Sequence, residues 1–372
     1  MNVRDRREPI RGGASVKLPT IGMLGSHSGE EIGVAAKANG FKTVIVCQKG
    51  REELYTKYNK HLYDHVIILD RFQDMVDEET QNTLRNLDTV WIPNRSFSVY
   101  VGYDNIEQRF DVPIYGNRRI LRVEERGTPR DQYWLLEESG IRIPRQFRPD
   151  DIDRLCIVKV QQKDNPLERA FFYAESPHDY EKRSKEMVAN GLIKESDLAA
   201  ATVEEFVIAP RFNANFQAYG MEDAYGSLDF VGFDDRIQTN LSGLLNLPAS
   251  EQLRIKMSVV NEEVGHKGVT MRESKKPLVY KAAERLLEGV KKHFPPKMIG
   301  LFSLQGALTK DSEFVVFDLS PRVPGAPCLG PTSPEMRRLS LKFNREIRSP
   351  LDLCMLDIRR AAEEDRLNDV TT

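Results

Sequence analysis

Short, continuous apolar runs separated by polar stretches with helical spacing dominate the first third of the chain. The runs are Leu18–Leu24, Lys42–Cys47, His65–Leu69, Thr89–Pro93 and Val112–Gly116. They are rich in β-branched residues, which is how strands buried on both faces of a parallel sheet read. The segment EEIGVAAKANG after the first run has a helical pattern and closes at Gly40, a C′ glycine. The pattern predicts a doubly wound parallel sheet, in which ligands bind beyond the carboxyl ends of the strands. Weight therefore falls on three loops: Ser26-His27-Ser28, Asn94-Arg95-Ser96-Phe97-Ser98 and Gly116-Asn117-Arg118-Arg119. Serine hydroxyls and arginines suit a phosphate or a sugar, and a histidine suits an acid/base or orienting role. Read alone, Ser26 or Ser28 serves equally as a helix N-cap, and Arg118 and Arg119 as solvated charges.

The pattern then changes. Thr128-Pro129-Arg130-Asp131 reads as a helix start, with Thr128 as N-cap, and the helix stops at Gly140. Cys156–Val160 and Phe171–Glu175 read as strands around a connection, followed by a charged helix over Pro177–Asn190. Thr202–Ala209 reads as a strand that doubles as a hinge. FNANFQAYG and GSLDFVGFDDRIQTN have no helical spacer between them, so they predict an antiparallel sheet. Asn240–Lys276 reads mostly as loop. Over Pro277–His293, Leu278, Ala282, Leu286 and Val290 share one helical face, and Pro295-Pro296 end that helix. Leu301–Leu308 and Phe314–Leu319 flank the turn signal Lys310-Asp311-Ser312, a β-hairpin interrupted by Gln305 on one arm and Asp318 on the other. Ser320-Pro321-Arg322 follow. The tail Ser333–Asn368 reads as helical and charged. Two oxygen-bearing side chains on paired strands, with an arginine just beyond, can hold Mg²⁺ against a polyphosphate. A surface hairpin with its polar residues in water is the bland alternative.

Composition narrows the class. A length of 372 residues suggests two or three structural units, and 40% hydrophobic with 30% charged residues fits a globular protein with a sizeable core. A net charge of −2 gives no argument for nucleic acid or an anionic membrane as partner. No apolar run is long enough to span a bilayer. The basic start MNVRDRREPIRGGA lacks an apolar core, so it reads as a frayed tail and not as a secretory signal. Cys47, Cys156, Cys328 and Cys354 have no paired zinc spacing, and a reduced cytoplasmic compartment is expected.

The order of parallel α/β unit, strand–turn–strand with Lys159, hinge strand and polar-paired hairpin resembles the ATP-grasp fold. Six stretches sharpen this: IGMLGSHSGEEIGVAAKANGFKTVIVC, WIPNRSFSVYVGYDNIE, DVPIYGNRRILRVEE, LLEESGIRIPRQF, VEEFVIA and MIGLFSLQGALTKDSEFVVFDLSPRVPG. They resemble the archaeal formate-dependent 5-formaminoimidazole-4-carboxamide ribonucleotide synthetases over about Leu18–Asp357. The fold class so implied is α/β, with α+β lobes. A parallel-sheet unit over 1–126 precedes an ATP-grasp lobe with Lys159 over 127–206 and a lobe with the metal hairpin over 207–372.

The resemblance implies an ATP- and formate-dependent ligase that converts 5-aminoimidazole-4-carboxamide ribonucleotide to its formylated product, with no nucleic acid or membrane partner and closed homo-oligomers as the candidate assembly. It implies that His27 lies beside the ribonucleotide and the formyl-transfer centre, next to Ser28, and Ser96 near the nucleotide phosphate. Lys159 would reach ATP phosphate, and Glu204, Glu205 and Val207 would line the adenine and ribose site. Gln305 and Asp318 would hold Mg²⁺, with Mn²⁺ as the alternative. Arg322 would face the transferring phosphoryl group, and Asn240 the substrate amide. Three features depart from that family. The stretch Gln161–Ala170 contains no glycine where a phosphate-covering glycine loop is expected, Asn94-Arg95 replaces His-Gly, and Ser320 stands where a metal-binding Asn is usual. A nucleotide-binding paralogue without turnover, and a ligase for another amine, are the alternative readings.

Overall fold

The computed structural model describes residues 17–26, 28–161, 169–255, 263–325 and 333–372 (excepting the side chains at 161, 169, 170 and 239–241). His27, Cys328 and the centre of the glycine-free stretch lie outside the described residues.

The first sheet contains β1 (Thr20–Leu24), β2 (Lys42–Gln48), β3 (His65–Leu69) and β4 (Thr89–Trp91), all parallel, in the order β3-β2-β1-β4. Alternate residues of β1 and β2 point to opposite faces. Ile21, Met23 and Ile45 pack with Ile32 and Ala36 of the helix Gly29–Ala38 and with Leu353 and Ile358 of the helix Pro350–Glu363. Leu24, Val44 and Val46 pack on Phe72, Trp91 and Phe97. Gly40 closes the first helix at φ +75°, as expected.

The run Val112–Gly116 is not a fifth strand of this sheet. It makes a single parallel bridge, Ile114 to Trp91. Pro113 has no N–H to donate, and the amides of Ile114 and Gly116 bond to the carbonyls of Thr372 and Val370. The tail is likewise more than a charged surface. Within Pro350–Glu363, Asp357 is fully buried and accepts from Gly220 N, Met221 N and Tyr115 Oη at 2.8–3.0 Å. This helix therefore ties the first sheet to the third.

The second sheet is antiparallel, in the order β5-β8-β6-β7, with β5 Gln146–Phe147, β6 Cys156–Gln161, β7 Arg169–Ala174 and β8 Thr202–Glu205. The expected strand Thr202–Ala209 stops at Glu205. Val207 lies beyond it, its carbonyl accepting from Ala209 N at 3.0 Å in a tight turn before Pro210. The preceding helix begins at Gln132, with Asp131 as its cap: its carboxylate accepts from Tyr133 N and Trp134 N. Thr128 instead donates to the Glu125 carbonyl, because Pro129 lies outside the helix.

The third sheet is antiparallel, in the order β11-β10-β9-β12-β13. Its strands are β9 Arg211–Ala218, β10 Leu228–Gln238, β11 Glu263–Val269, β12 Gly300–Leu308 and β13 Phe314–Ser320. β11 falls in the stretch read as loop, as do the helices Thr239–Leu244 and Ala249–Arg254. Its sequence EVGHKGV has two glycines and no apolar run, because it is an edge strand paired on one side only.

One face of this sheet is apolar. Phe216, Phe302, Leu304 and Val316 pack on Val279, Ala283, Leu286 and Val290 of the helix Lys276–His293. The other face is polar and yet covered: Asn213, Asn215, Gln217, Asp234, Ser303, Gln305 and Ser320 are all buried.

Candidate active site

The polar face organises the candidate site. Strand register sets Gln305 of β12 directly opposite Asp318 of β13 and, on its other side, opposite Asn213 of β9. Asn213 in turn faces Asp234 of β10. A row of polar side chains thus crosses four strands. A bulge between Gln305 and Gly306 creates this pairing. At Gly306 a Cβ would stand 2.7 Å from the Val315 carbonyl, so only glycine fits there.

Three charged pairs gather around the hairpin. Arg126 donates to Asp318 Oδ1 at 2.9 Å and to the Phe317 carbonyl at 2.7 Å, and its guanidinium lies 5.4 Å from the Tyr133 ring centroid. Tyr133 Oη donates to Glu204 at 2.8 Å, and the other Glu204 oxygen takes the Lys159 ammonium. Burial and the nearby Arg126 cation push Lys159 down from 10.5 to about 8, against the pull of Glu204. Arg322 forms a two-pronged bond with Glu124, at 2.7 and 3.3 Å, with both side chains buried. Arg95 reaches the same carboxylate at 3.3 Å.

The loops of the parallel sheet meet this hairpin. Val323 bridges Asn94, and Val323 N donates to the Pro93 carbonyl. Ser96 Oγ donates to Ser26 Oγ at 2.9 Å, and Ser28 Oγ lies 3.4 Å from the Pro324 carbonyl. Ser28 stands at φ +67° and makes no side-chain cap, so the N-cap alternative for it falls away. Asn94 caps the helix Arg95–Val101, its side-chain oxygen accepting from Phe97 N. Arg118 is a structural pin and neither a solvated charge nor a free phosphate ligand: its guanidinium donates to the carbonyls of Ile106, Phe110, Val112 and Thr372.

The structure therefore pairs Lys159 with Glu204, sets Gln305 beside Asp318, and carries the chain through Arg322 to Val323 and Pro324, which touch the loops of the parallel sheet that hold Asn94 and Ser28. Glu205 points away from Glu204, as strand alternation requires, and bonds Arg142 at 2.9 Å and Arg145 N at 3.2 Å. These bonds hold its carboxyl below the usual range although burial alone raises it. Val207 is half-buried beyond the strand end. Asn240 falls in the helix Thr239–Leu244, its side chain outside the described residues.

Sequence reasoning missed Glu124, Arg126, Tyr133, Asn213, Asn215, Asp234 and His266. A signal existed for two of them: in Phe212-Asn213-Ala214-Asn215-Phe216-Gln217 every second residue is polar, the mark of a strand with one non-apolar face.

Residues 179–372 match a family model described as Domain of unknown function (DUF1297), and residues 21–147 match one described as Protein of unknown function (DUF1246). The chain is 35% identical over 373 residues to a 5-formaminoimidazole-4-carboxamide-1-(β)-D-ribofuranosyl 5′-monophosphate synthetase of Methanothermobacter thermautotrophicus, covering 99% of each. It is 37% identical over 308 residues to the synthetase of that name from Methanopyrus kandleri, covering 82% of this chain and 83% of that one. Among solved structures it is similar to an IMP biosynthesis protein PurP from Thermococcus kodakaraensis, with TM-score 0.69 and 22% identity, covering 95% of this chain and 100% of that one. It is also similar to an N5-carboxyaminoimidazole synthetase from Staphylococcus aureus complexed with ADP, with TM-score 0.55 and 14% identity, covering 91% of this chain and 77% of that one. The fold is the expected ATP-grasp fold preceded by a parallel-sheet unit.

Proposed function

Because the chain belongs to the family of 5-formaminoimidazole-4-carboxamide ribonucleotide synthetases, we propose that it is an ATP-grasp carbon–nitrogen ligase of purine biosynthesis. Its substrates are 5-aminoimidazole-4-carboxamide ribonucleotide, formate and ATP. Its products are the 5-formamido ribonucleotide, ADP and phosphate. The observation that carries this reading is the meeting of Lys159–Glu204, Arg126–Asp318 and Gln305 beside the loops that hold Ser28 and Ser96.

In the proposed chemistry a formate oxygen attacks the γ-phosphorus of ATP and the bond to ADP breaks, leaving formyl phosphate. The amine nitrogen of the ribonucleotide then attacks the formyl carbon, phosphate leaves with the C–O bonding electrons, and the nitrogen loses its proton. Lys159 and Arg126 offer cations to the phosphates, and Arg322 counters the charge on the moving phosphoryl group. Glu204 and the hinge residues Glu205 and Val207 line the adenine and ribose. Ser96 takes the ribonucleotide phosphate, His27 and Ser28 stand beside its ring, and Asn240 meets its amide.

The donor set fits a hard divalent cation. Gln305 and Asp318 present an amide oxygen and a carboxylate across one rung of the sheet, and Asp318 already holds a cation, the Arg126 guanidinium. Among the described residues no three His, Cys, Asp or Glu side chains gather into a metal site, so phosphate and water would complete the coordination. Mg²⁺, with Mn²⁺ as the alternative, would supply charge neutralisation of the β- and γ-phosphates there.

We place the unit boundaries at 1–126, 127–206 and 207–372, which gives each unit one sheet. We propose the cytoplasm as the place of the reaction, as the purine-synthesis role of the family suggests. The test is incubation of the purified protein with Mg-ATP, formate and the aminoimidazole ribonucleotide. Formate-dependent ADP release with a formylated nucleotide is expected. Tight ribonucleotide binding with no formate-dependent ADP release would refute the ligase reading in favour of a binding protein.

A further inference from the structure

We propose that Asn215 selects the acceptor nucleotide by accepting a hydrogen bond from its ring-borne carboxamide N–H, and that Asp234 and His266 act as positioning residues for Asn215. The inference rests on the ligase reading above and adds to it the side chain that tells a carboxamide from a carboxylate.

Asn215 lies on the polar face of β9, 1% exposed. With Ser28, Glu31, Leu301, Val323 and Leu351 it lines a cavity of about 220 Å³ between the parallel-sheet unit and the third sheet. A space of this size takes one substituted ring and not a whole nucleotide. Leu301 and Val323 are apolar walls for such a ring, and burial raises the Glu31 carboxyl above its usual range.

The orientation of the Asn215 amide is forced. Its Nδ2 donates to Asp234 Oδ1 at 2.6 Å and to the Gly232 carbonyl at 3.3 Å, and neither oxygen can donate in return while Asp234 is ionised. Asn215 Oδ1 has no hydrogen-bond partner among the described residues. A buried acceptor left unpaired costs about 1–3 kcal/mol, and among the described residues lining this cavity Asn215 Oδ1 is the one such atom, so a ligand donor seated there would recover that cost.

Asp234 is itself held from three sides. Its Oδ2 meets Asn213 Nδ2 at 2.8 Å and His266 Nδ1 at 2.5 Å. His266 Nε2 meets Glu263 at 2.7 Å, and Glu263 pairs with Arg236 at 2.9 Å. A carboxylate on each ring nitrogen favours the imidazolium. Burial alone lowers its pKa, but the two hydrogen bonds lift it from 6.5 to about 9. The alternation of charge along Asp234, His266, Glu263 and Arg236 fixes Asp234 as an acceptor and hence Asn215 Oδ1 as the open acceptor. A 4-carboxylate in place of the 4-carboxamide brings no N–H and sets its own charge against that oxygen.

The test compares the carboxamide ribonucleotide with its 4-carboxylate analogue in wild type, Asn215→Ala and Asp234→Asn. Initial rates give kcat/KM for each nucleotide and KM for ATP. The wild type is expected to prefer the carboxamide by about a hundredfold. Asn215→Ala should bring that ratio close to one with KM for ATP unchanged. Asp234→Asn should do the same with Asn215 intact, because its amide can now donate and lets Asn215 turn over. Retained discrimination in Asn215→Ala overturns the proposal. If the variants do not fold, a wild type that uses both nucleotides equally overturns it as well. If the wild type shows no formate-dependent ADP release, the ligase reading falls separately, and the ratio of calorimetric affinities for the two nucleotides decides on Asn215 by the same criteria.

Discussion

Asp318→Asn keeps the shape of the hairpin and removes its only full carboxylate on the rung shared with Gln305. Two effects follow, and the structure separates them. The first is structural. Arg126 loses its ion pair with Asp318, but its bond to the Phe317 carbonyl at 2.7 Å and its contact with Tyr133 remain. The pair is largely buried, at 17% and 22%, but an Asn at 318 can still accept from Arg126, so the loss is about 1–3 kcal/mol and the melting midpoint should fall by several degrees. The second is functional. A neutral amide cannot replace a carboxylate as the anchoring ligand of a divalent cation, and a lost electrostatic contact to a moving phosphoryl group is worth about 3–4 kcal/mol, or about 10²- to 10³-fold in kcat. The assay is formate-dependent ADP release against Mg²⁺ concentration, alongside calorimetry of ribonucleotide binding and a thermal melt. Turnover should collapse, and ribonucleotide affinity should hold within about twofold, because Ser28 and Ser96 stand on the other side of the gap. Wild-type turnover with a wild-type Mg²⁺ dependence would refute the metal assignment of the hairpin.

Four further outcomes are expected. Glu124→Gln leaves Arg322 and Arg95 facing a neutral amide in a buried setting, and should destabilise by about 3–5 kcal/mol in a chemical-denaturation curve. Gly306→Ala forces a Cβ against the Val315 carbonyl and the Phe314 ring, so the bulge should shift, stability should fall by about 1–3 kcal/mol or more, and Mg²⁺-dependent turnover should fall with it. Lys159 must be charged to meet phosphate, so KM for ATP should rise as pH climbs through about 8, and Lys159→Met should lose that pH dependence. His266 gains protons on folding: its contribution is full below about 6.5 and fades as pH rises through about 9, by at most about 3 kcal/mol, and His266→Asn should flatten that slope in melts taken across the window.

The fold was legible where one physical cause set the pattern. β1 to β4 are buried on both faces, so they read as continuous apolar runs. The hairpin read clearly because its turn and its two interrupted arms are local. The misreadings share another cause, namely partners far away in sequence. Val112–Gly116 is apolar like a strand and Tyr115 N bonds the Trp91 carbonyl, yet the amides of Ile114 and Gly116 bond to residues 372 and 370, which no local pattern announces. β11 is polar because it is an edge, and an edge strand reads like a loop. At the candidate site, Gln305, Asp318 and Arg322 stood out by residue type and position on the hairpin and Lys159 by its place in the element order, whereas Glu204 came only with the family resemblance. Arg126 and Glu124 did not, since a charged residue in an Arg- and Glu-rich stretch reads as a solvated surface unless its partner is known.

That blind spot matters for how the site works. Lys159, Arg126 and Arg322 are each matched by one carboxylate, Glu204, Asp318 and Glu124. Six charges can therefore be largely buried without a ligand, because each has a hydrogen-bonded opposite. In the proposed reaction a polyphosphate would compete with those carboxylates for the cations. Asp318, once released from Arg126, would be free to serve as an oxygen ligand for a divalent cation, which would couple phosphate binding to metal binding. Glu124 differs, since two arginines share it: Arg322 can turn to the phosphoryl group while Arg95 keeps the carboxylate paired. Arg95 thus supplies a second cation that would keep Glu124 paired if Arg322 moved. Arg95→Gly should slow phosphoryl transfer while leaving nucleotide affinity near wild type, and equal losses in both would place Arg95 in binding alone.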